Sequence, residues 1–219
     1  MKIIELQLLS SNIPQTKKFY QEILGMPIIY ADDSCIKISA GQSSLQFNKV
    51  NNQKPFYHFA FTIPANKFDE AFAWANSIIE LIPITPTSNI ADFKNWNAKA
   101  FYFHDNNLNI VEFIARFDLN NNSGKVFDGS SIFSISEIGI VVDNAKEYSE
   151  NLLEVHDLNY FSRQPPQEGF VAIGDDNGLF IVVNNRRNWY PTSKAAEKYW
   201  TMVRIRQNGK ITDIEMSGE

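Results

Sequence analysis

The order of apolar and polar residues predicts a unit built of a strand, a helix and three further strands. Residues 3–9 alternate as in a strand, and Asn12 followed by Pro14 is typical of the start of a helix. The helix is expected to end at Gly25, and its apolar residues, spaced by four, form one face that can pack on a sheet. The remaining strands of the unit are predicted at 28–31, 35–39 and 44–48.

The same order of elements restarts twice along the chain. Residues 56–62 predict a strand, Asn66 the start of a helix, and residues 101–114 a closing hairpin. A third start is predicted at residues 135–142, and residues 198–205 predict one more strand with no helix after it. The chain is therefore interpreted as three degenerate copies of one unit followed by a truncated fourth.

The hairpin of the second copy carries an acidic residue among apolar ones. Its turn is rich in Asp and Asn, which tolerate left-handed backbone angles and bond to their own main chain. Glu112 lies in the strand that follows, with Val111 and Phe113 on either side. An unpaired carboxylate is costly to bury, so Glu112 is expected either to reach water or to bind a cation.

Polar residues recur at matching positions of the copies. The first strands place Glu5, His58 and Glu137 at one position, and the last strands place Gln46, Glu112 and Val182 at another. Because the opposite faces of these strands are apolar and must pack on the helices, we expect Glu5, Gln46, His58 and Glu112 to meet in one cleft. Such a donor set suits a divalent metal with octahedral preference. Glu137 lacks a polar partner at Val182, so it is interpreted as a structural or surface residue, or as part of a vestigial cleft.

Composition narrows the classes of function. The net charge is −5 and basic residues do not cluster, which argues against a nucleic-acid partner. The single cysteine, Cys35, excludes an intrachain disulfide and a multi-cysteine zinc site. No apolar run of membrane-spanning length and no signal-peptide pattern is found, so a cytoplasmic location without a membrane partner is expected.

Two stretches resemble the vicinal oxygen chelate superfamily, which includes glyoxalases, bleomycin resistance proteins and extradiol dioxygenases. They are Phe19-Tyr20 with Leu24-Gly25 after the first strand, and the hairpin from Tyr102 to Phe113. The resemblance implies an α+β fold in which βαβββ units pair to form a half-open curved sheet, here three copies plus one extra strand. The expected parts are a complete paired domain with a metal cleft at 1–117, a linker at 118–129, a third unit with a terminal strand at 130–206 and a polar tail at 207–219.

The resemblance also implies a chemistry. The metal ligands of the family match Glu5, Gln46, His58 and Glu112 here, and the ion could be Zn, Ni, Co, Mn or Fe. The expected reaction is lyase- or isomerase-type proton transfer on a small oxygenated substrate, with Glu112 or Glu5 moving the proton. Most metal-bearing members have histidine where this chain has Glu5, and a single histidine argues against extradiol ring cleavage.

Other interpretations remain open from the sequence. His58 could be a histidine of the core, Glu5 could lie on a solvated sheet edge, and the chain could be a metal-free protein that binds a small molecule, as antibiotic-binding members do. The substrate pocket is predicted to be lined by aromatic residues, namely Phe93, Trp96, Phe101 and Phe103. Arg186-Arg187 beside Trp189 could bind a carboxylate or phosphate, or anchor a loop. The third unit could also serve to build a homodimer.

Overall fold

The fold is a single curved mixed sheet with few helices, described over residues 1–218 of a computed structural model. Four strands come from the first unit: β1 (Lys2–Ser10), β2 (Ile28–Ala31), β3 (Cys35–Ala40) and β4 (Ser43–Lys49). Four come from the second: β5 (His58–Thr62), β6 (Ala91–Phe93), β7 (Ala98–His104) and β8 (Ile110–Arg116). The rest of the chain adds β9 (Ser134–Val142), β10 (Phe170–Asp175), β11 (Gly178–Asn184), β12 (Thr201–Gln207) and β13 (Lys210–Met216).

Three main helices cover one face of the sheet. They are α1 (Ile13–Lys17), which continues as a π-helical turn over Lys18–Ile23, α2 (Phe68–Ile78) and α3 (Ala145–His156). Two begin at an asparagine, because the side chains of Asn12 and Asn144 accept hydrogen bonds from Gln15 N and Glu147 N. Tyr20, Phe68 and Leu152 bring the three helices into one buried cluster with the apolar side of the strands. The predicted α+β fold with an open curved sheet is confirmed.

The strand order differs from the pairing that the sequence suggested. It runs β2-β3-β4-β1-β9-β5-β8-β7-β6, with β11 also beside β9 and β12 also beside β1. The second unit therefore pairs with the third, since β5 and β9 are antiparallel neighbours, while β1 meets β9 only at Ile3 and Ile135. The first unit instead pairs through β1 with the terminal strand β12. Alternation within a strand defines its faces but not its neighbour, which is why the sequence did not reveal this arrangement.

Two segments expected to be irregular are packed against the sheet. In the predicted linker, Phe127 is 3% exposed and contacts the rings of Trp74 and Phe113, and Asn121 bonds to Ala65 N and Ile63 O. The predicted polar tail forms β13 up to Met216, because it pairs with β12 along its whole length; residue 219 lies outside the described residues. No helix in residues 1–218 is long and apolar enough to cross a membrane.

Candidate metal centre

The register of three adjacent strands brings two carboxylates and one imidazole together. Ala60 of β5 lies opposite Glu112 of β8 and opposite Glu137 of β9. Both glutamates therefore project from the face of the sheet that Ala60 occupies, and His58, two residues before Ala60, projects from it too. One ligand atom from each of the three lies within 4.8 Å of the others, and all three residues are buried.

His58 presents one ring nitrogen to this cluster. Its Nδ1 lies 3.1 Å from the carbonyl oxygen of Ile110, and its Nε2 lies 3.6 Å from Oε2 of Glu112. Burial lowers the pKa of His58 to about 4, so the ring is neutral near pH 7. Because a carbonyl can only accept, the proton of the neutral ring lies on Nδ1 and the lone pair of Nε2 faces the carboxylates.

Glu112 is a desolvated carboxyl group with one hydroxyl partner. Its residue is 3% exposed, and the hydroxyl of Tyr102, the residue opposite it on β7, hydrogen-bonds to it. Burial, and then the negative charge of Glu137, raise the pKa of Glu112 well above its ordinary value. The tyrosine keeps its proton as well, because burial and the two carboxylates raise the pKa of Tyr102 well above its usual range. The carboxylate of Glu112 thus gains much from a cation.

Glu137 is held by a buried arginine. Arg116, which is 0% exposed, forms an ion pair with Glu137 and packs against the rings of Trp96 and Phe161, with its guanidinium 5.3 Å and 5.7 Å from their centroids. Burial raises the pKa of Glu137, and the charge of Arg116 opposes that rise. Further contacts of Arg116 extend the network to Ser136 and Asp176. The position of Glu137 is therefore set by side chains from several elements.

The three residues line a cavity of about 520 Å³ with aromatic walls. Trp189 is 3% exposed and its ring lies 5.2 Å from that of His58. It also covers Gly139, where a Cβ atom would be 2.4 Å from the indole. Other walls are formed by Phe93, Trp96, Tyr102, Phe170 and Tyr190. Such a volume suits a small organic molecule.

Only part of the predicted ligand set meets at this place. Glu5 lies in β1, where its carboxylate binds Lys37 at 2.7 Å and approaches Arg204 at 3.8 Å. Gln46 donates to Asn48 Oδ1 at 2.8 Å and lies opposite Gln7 of β1. Both residues belong to the first unit, which pairs through β1 with β12 and not with β5. The structure therefore does not bring them to His58 and Glu112.

Of the four residues predicted to line the pocket, two do so and two do not. Phe93 and Trp96 line the cavity. Phe101 and Phe103 are fully buried on the helix side of the sheet, where Phe101 contacts the rings of Phe68 and Phe72 and Phe103 contacts Phe19. The reason is strand parity: Tyr102 faces the cavity, so its two neighbours in β7 must face away from it.

Glu137 is the site residue that the sequence interpretation set aside. The signal was its position, which matches that of His58 in the first strand of its unit. The sequence alignment of the units places the apolar Val182 at the position of Glu112, which leaves Glu137 without a polar partner. In the sheet, the residue opposite Gly139 of β9 is Ile181, just as Glu112 is opposite Ala60 of β5, and Ile181 lines the cavity. The fourth position is therefore apolar and supplies no metal ligand.

The donor set fits a divalent metal ion. The separation of 3.6 Å between His58 Nε2 and Glu112 Oε2 is in the range of about 3–4 Å expected for two atoms that are each about 2 Å from one ion. One imidazole and two carboxylates suit borderline ions such as Mn, Fe, Co, Ni or Zn. Three protein ligands would leave coordination positions open to substrate or water, as in catalytic sites.

Comparison with solved structures supports the fold. A proposed dioxygenase from Bacillus subtilis subsp. subtilis str. 168 is 12% identical, with a TM-score of 0.61 over 98% of this chain and 84% of that chain. The V278E mutant of glyoxalase I from Zea mays is also 12% identical, with a TM-score of 0.57 over 89% of this chain and 70% of that one. No protein-family model and no curated protein sequence matches the chain. The chain thus shares the fold of these two proteins, which is the fold that the sequence resemblance implied.

Proposed function

We propose that this chain is a glyoxalase-like enzyme that holds one divalent metal ion with His58, Glu112 and Glu137. The reaction proposed is lyase- or isomerase-type proton transfer on a small oxygenated substrate bound in the cavity. The observation that carries the proposal is the meeting of a neutral imidazole lone pair with two desolvated carboxylates at one point of an aromatic-lined cavity. Glu137 is paired with Arg116, but the carboxylate of Glu112 has only the Tyr102 hydroxyl as a partner, so a cation would offset the cost of burying its charge.

Different residues around the cavity are suited to different roles in the proposed reaction. A bound ion would supply positive charge to stabilise negative charge that develops on a substrate oxygen. Glu112 is suited to move the proton, because burial and the charge of Glu137 raise the pKa of its carboxyl group well above the ordinary value, which makes it a stronger base than an ordinary glutamate. The Tyr102 hydroxyl orients the carboxyl group of Glu112, and Arg116 holds Glu137 in place. Trp189 excludes water from the side of His58.

A second candidate is a metal-free protein that binds a small molecule. It is favoured by the aromatic walls, which need no metal to hold a planar ligand. Ring-cleaving dioxygenase chemistry is the weaker alternative, since iron sites of that kind use two histidines and one carboxylate and this cluster has one histidine.

Metal content tests the proposal directly. The purified chain, supplemented with Mn, Fe, Co, Ni or Zn and desalted, is expected to retain about one equivalent of metal. His58→Ala, Glu112→Gln and Glu137→Gln should each lower this content, whereas Glu5→Gln, which alters a carboxylate outside the cluster, should not. A wild-type chain that retains no metal would exclude the metal-dependent reaction and leave the binding protein.

Catalysis needs a separate measurement. The metal-loaded chain is expected to speed the exchange of a carbon-bound proton for deuterium in small α-hydroxycarbonyl compounds, followed by NMR. Glu112→Gln should abolish the exchange, because the amide cannot take the proton and is a weaker metal ligand than the carboxylate. Metal retention without exchange in any such compound would contradict the proposed proton transfer while leaving the metal site in place.

A further inference from the structure

We propose that Arg187 binds an anionic group of the molecule that enters the cavity, a carboxylate or a phosphate-type oxyanion. The guanidinium lies on the wall of the same cavity that His58, Glu112 and Glu137 line. The inference rests on the proposed function only in calling that molecule a substrate, since binding of an anion at Arg187 does not require a metal or a reaction.

The backbone and an aromatic ring fix the position of Arg187. Its amide donates to the carbonyl of Asn184 at 3.1 Å, and its carbonyl accepts from the amide of Ala196 at 2.8 Å. The guanidinium carbon lies 5.0 Å from the centroid of the Phe170 ring. A guanidinium placed over an aromatic ring keeps its edge free for hydrogen bonds, so Arg187 is already arranged to receive a ligand.

The guanidinium has no carboxylate partner within residues 1–218. Its one side-chain hydrogen bond is long, 3.4 Å from Nη1 to the carbonyl oxygen of Asn188. By contrast, Arg116, Arg163 and Arg204 each form ion pairs with acidic residues. Arg187 is also half-buried, and burial lowers its pKa. A partly desolvated cation without an anion is unfavourable, and an oxyanion would remove that cost through two parallel hydrogen bonds.

Neighbouring polar groups on the cavity wall favour the same kind of ligand. The side chains of Gln164, Gln167 and Lys94 line the cavity and can donate hydrogen bonds. The negative groups that line it are Glu112 and Glu137 of the metal centre and the exposed Asp92. The cavity lining thus combines a carboxylate cluster suited to a cation with residues that can donate hydrogen bonds to an anion, and aromatic surfaces to hold the carbon skeleton.

Titration of small aromatic probes tests the proposal. Benzoate and phenylphosphonate carry the two kinds of oxyanion, and benzamide is a neutral compound of similar shape. Binding to the full-length chain is followed by tryptophan fluorescence, once after chelation of metals and once after addition of Mn. The variants are Arg187→Gln, Arg187→Lys and, as the matched control, Arg186→Gln, which removes the same charge from an exposed neighbour outside the cavity.

At least one anionic probe is expected to bind the wild-type chain about 10-fold or more tightly than benzamide, in keeping with a hydrogen bond to a charged group. Arg187→Gln should remove that preference, Arg187→Lys should keep part of it, and Arg186→Gln should leave it unchanged. The tighter of the two anions identifies the oxyanion. Thermal melting of each variant checks that it is folded.

Equal affinity for benzamide and both anions, failure of every anion to bind, or equal weakening by Arg187→Gln and Arg186→Gln would overturn the inference. Metal content of the same variants separates it from the proposed function. If Arg187→Gln retains metal but the anion preference is absent even in the wild-type chain, only the inference fails. If no metal binds but the anion preference depends on Arg187, only the metal-dependent reaction fails.

Discussion

Nε2 of His58 faces Oε2 of Glu112 across 3.6 Å without a hydrogen bond between them. The distance is too long for a hydrogen bond, and the neutral imidazole does not form an ion pair with the carboxylate at pH 7. Two buried atoms with free lone pairs at this distance could both bind one cation.

The free energy of unfolding should depend on pH through His58. The pKa is lowered from 6.5 to about 4 in the folded chain, so between these values the unfolded chain binds a proton that the folded chain does not. The stability is complete above pH 6.5 and is lost as the pH falls towards 4, by up to about 3 kcal/mol for a shift of this size. Urea unfolding of the metal-free chain at stepped pH measures the loss. His58→Gln, which has no proton to bind, should lack it, and equal pH profiles for the two chains would contradict the prediction.

Glu112→Gln should stabilise the metal-free chain near pH 7 and abolish stabilisation by metal. A carboxyl whose folded pKa is raised loses stability as the pH rises from its unfolded value of 4.5 through the folded value, and the neutral amide does not. Divalent metal, by contrast, should raise the melting temperature of the wild-type chain but not that of Glu112→Gln. Differential scanning fluorimetry with and without Mn measures both effects. Glu5→Gln serves as the control that keeps the metal response.

Arg116 and Glu137 should be strongly coupled in a double-mutant cycle. Arg116→Met leaves the buried Glu137 carboxylate without its ion-pair partner, which typically costs about 3–5 kcal/mol. Glu137→Gln in the Arg116→Met background should recover part of that loss, because the amide needs no counter-charge. Denaturant unfolding of the four chains gives the coupling energy. Additive effects of the two substitutions would show that the pair does not hold the site together.

Gly139→Ala should displace the indole of Trp189. The added Cβ atom would lie 2.4 Å from the ring, so the tryptophan must leave its place beside His58. We expect a loss of about 1–3 kcal/mol in stability, in line with overpacking, together with a shift of tryptophan emission as the ring reaches water. Gly124→Ala is the matched control, since nothing lies within 4 Å of its Cβ position. An unchanged emission spectrum in Gly139→Ala would mean that the ring does not cover this position in solution.

The order of strands and helix in each unit and two of the three residues of the proposed metal centre could be predicted from the sequence. Alternation and turn residues predicted the strand of His58 and the hairpin of Glu112, because both depend on local preferences that a short stretch of chain contains. The partner of β5 depends instead on long-range packing. Pairing with β9 replaces Glu5 by Glu137 in the cluster, and nothing in either strand alone distinguishes the two arrangements.

The two hairpins differ in turn length and in the number of pairs after the turn, which together explain the misplaced fourth position. The hairpin before Glu112 has five residues between its paired ends, His104 and Ile110, and Glu112 lies two residues after the second end; the one in the third unit has two between Asp175 and Gly178, and Ile181 lies three residues after the second end. Counting the same number of residues from each turn therefore reached Val182, on the helix side, in place of Ile181. In a strand, a shift of one residue changes the face.

Because the cluster is shared by β5, β8 and β9, a cut in the chain between β8 and β9 would separate its residues. His58 and Glu112 precede the exposed residue Gly124, and Glu137 and Trp189 follow it. A chain expressed as two pieces cut there would contain an incomplete chelator in each half. If the chain holds metal as proposed, recovery of metal retention on mixing would then signal that the halves had docked through the β5–β9 and β1–β12 pairings.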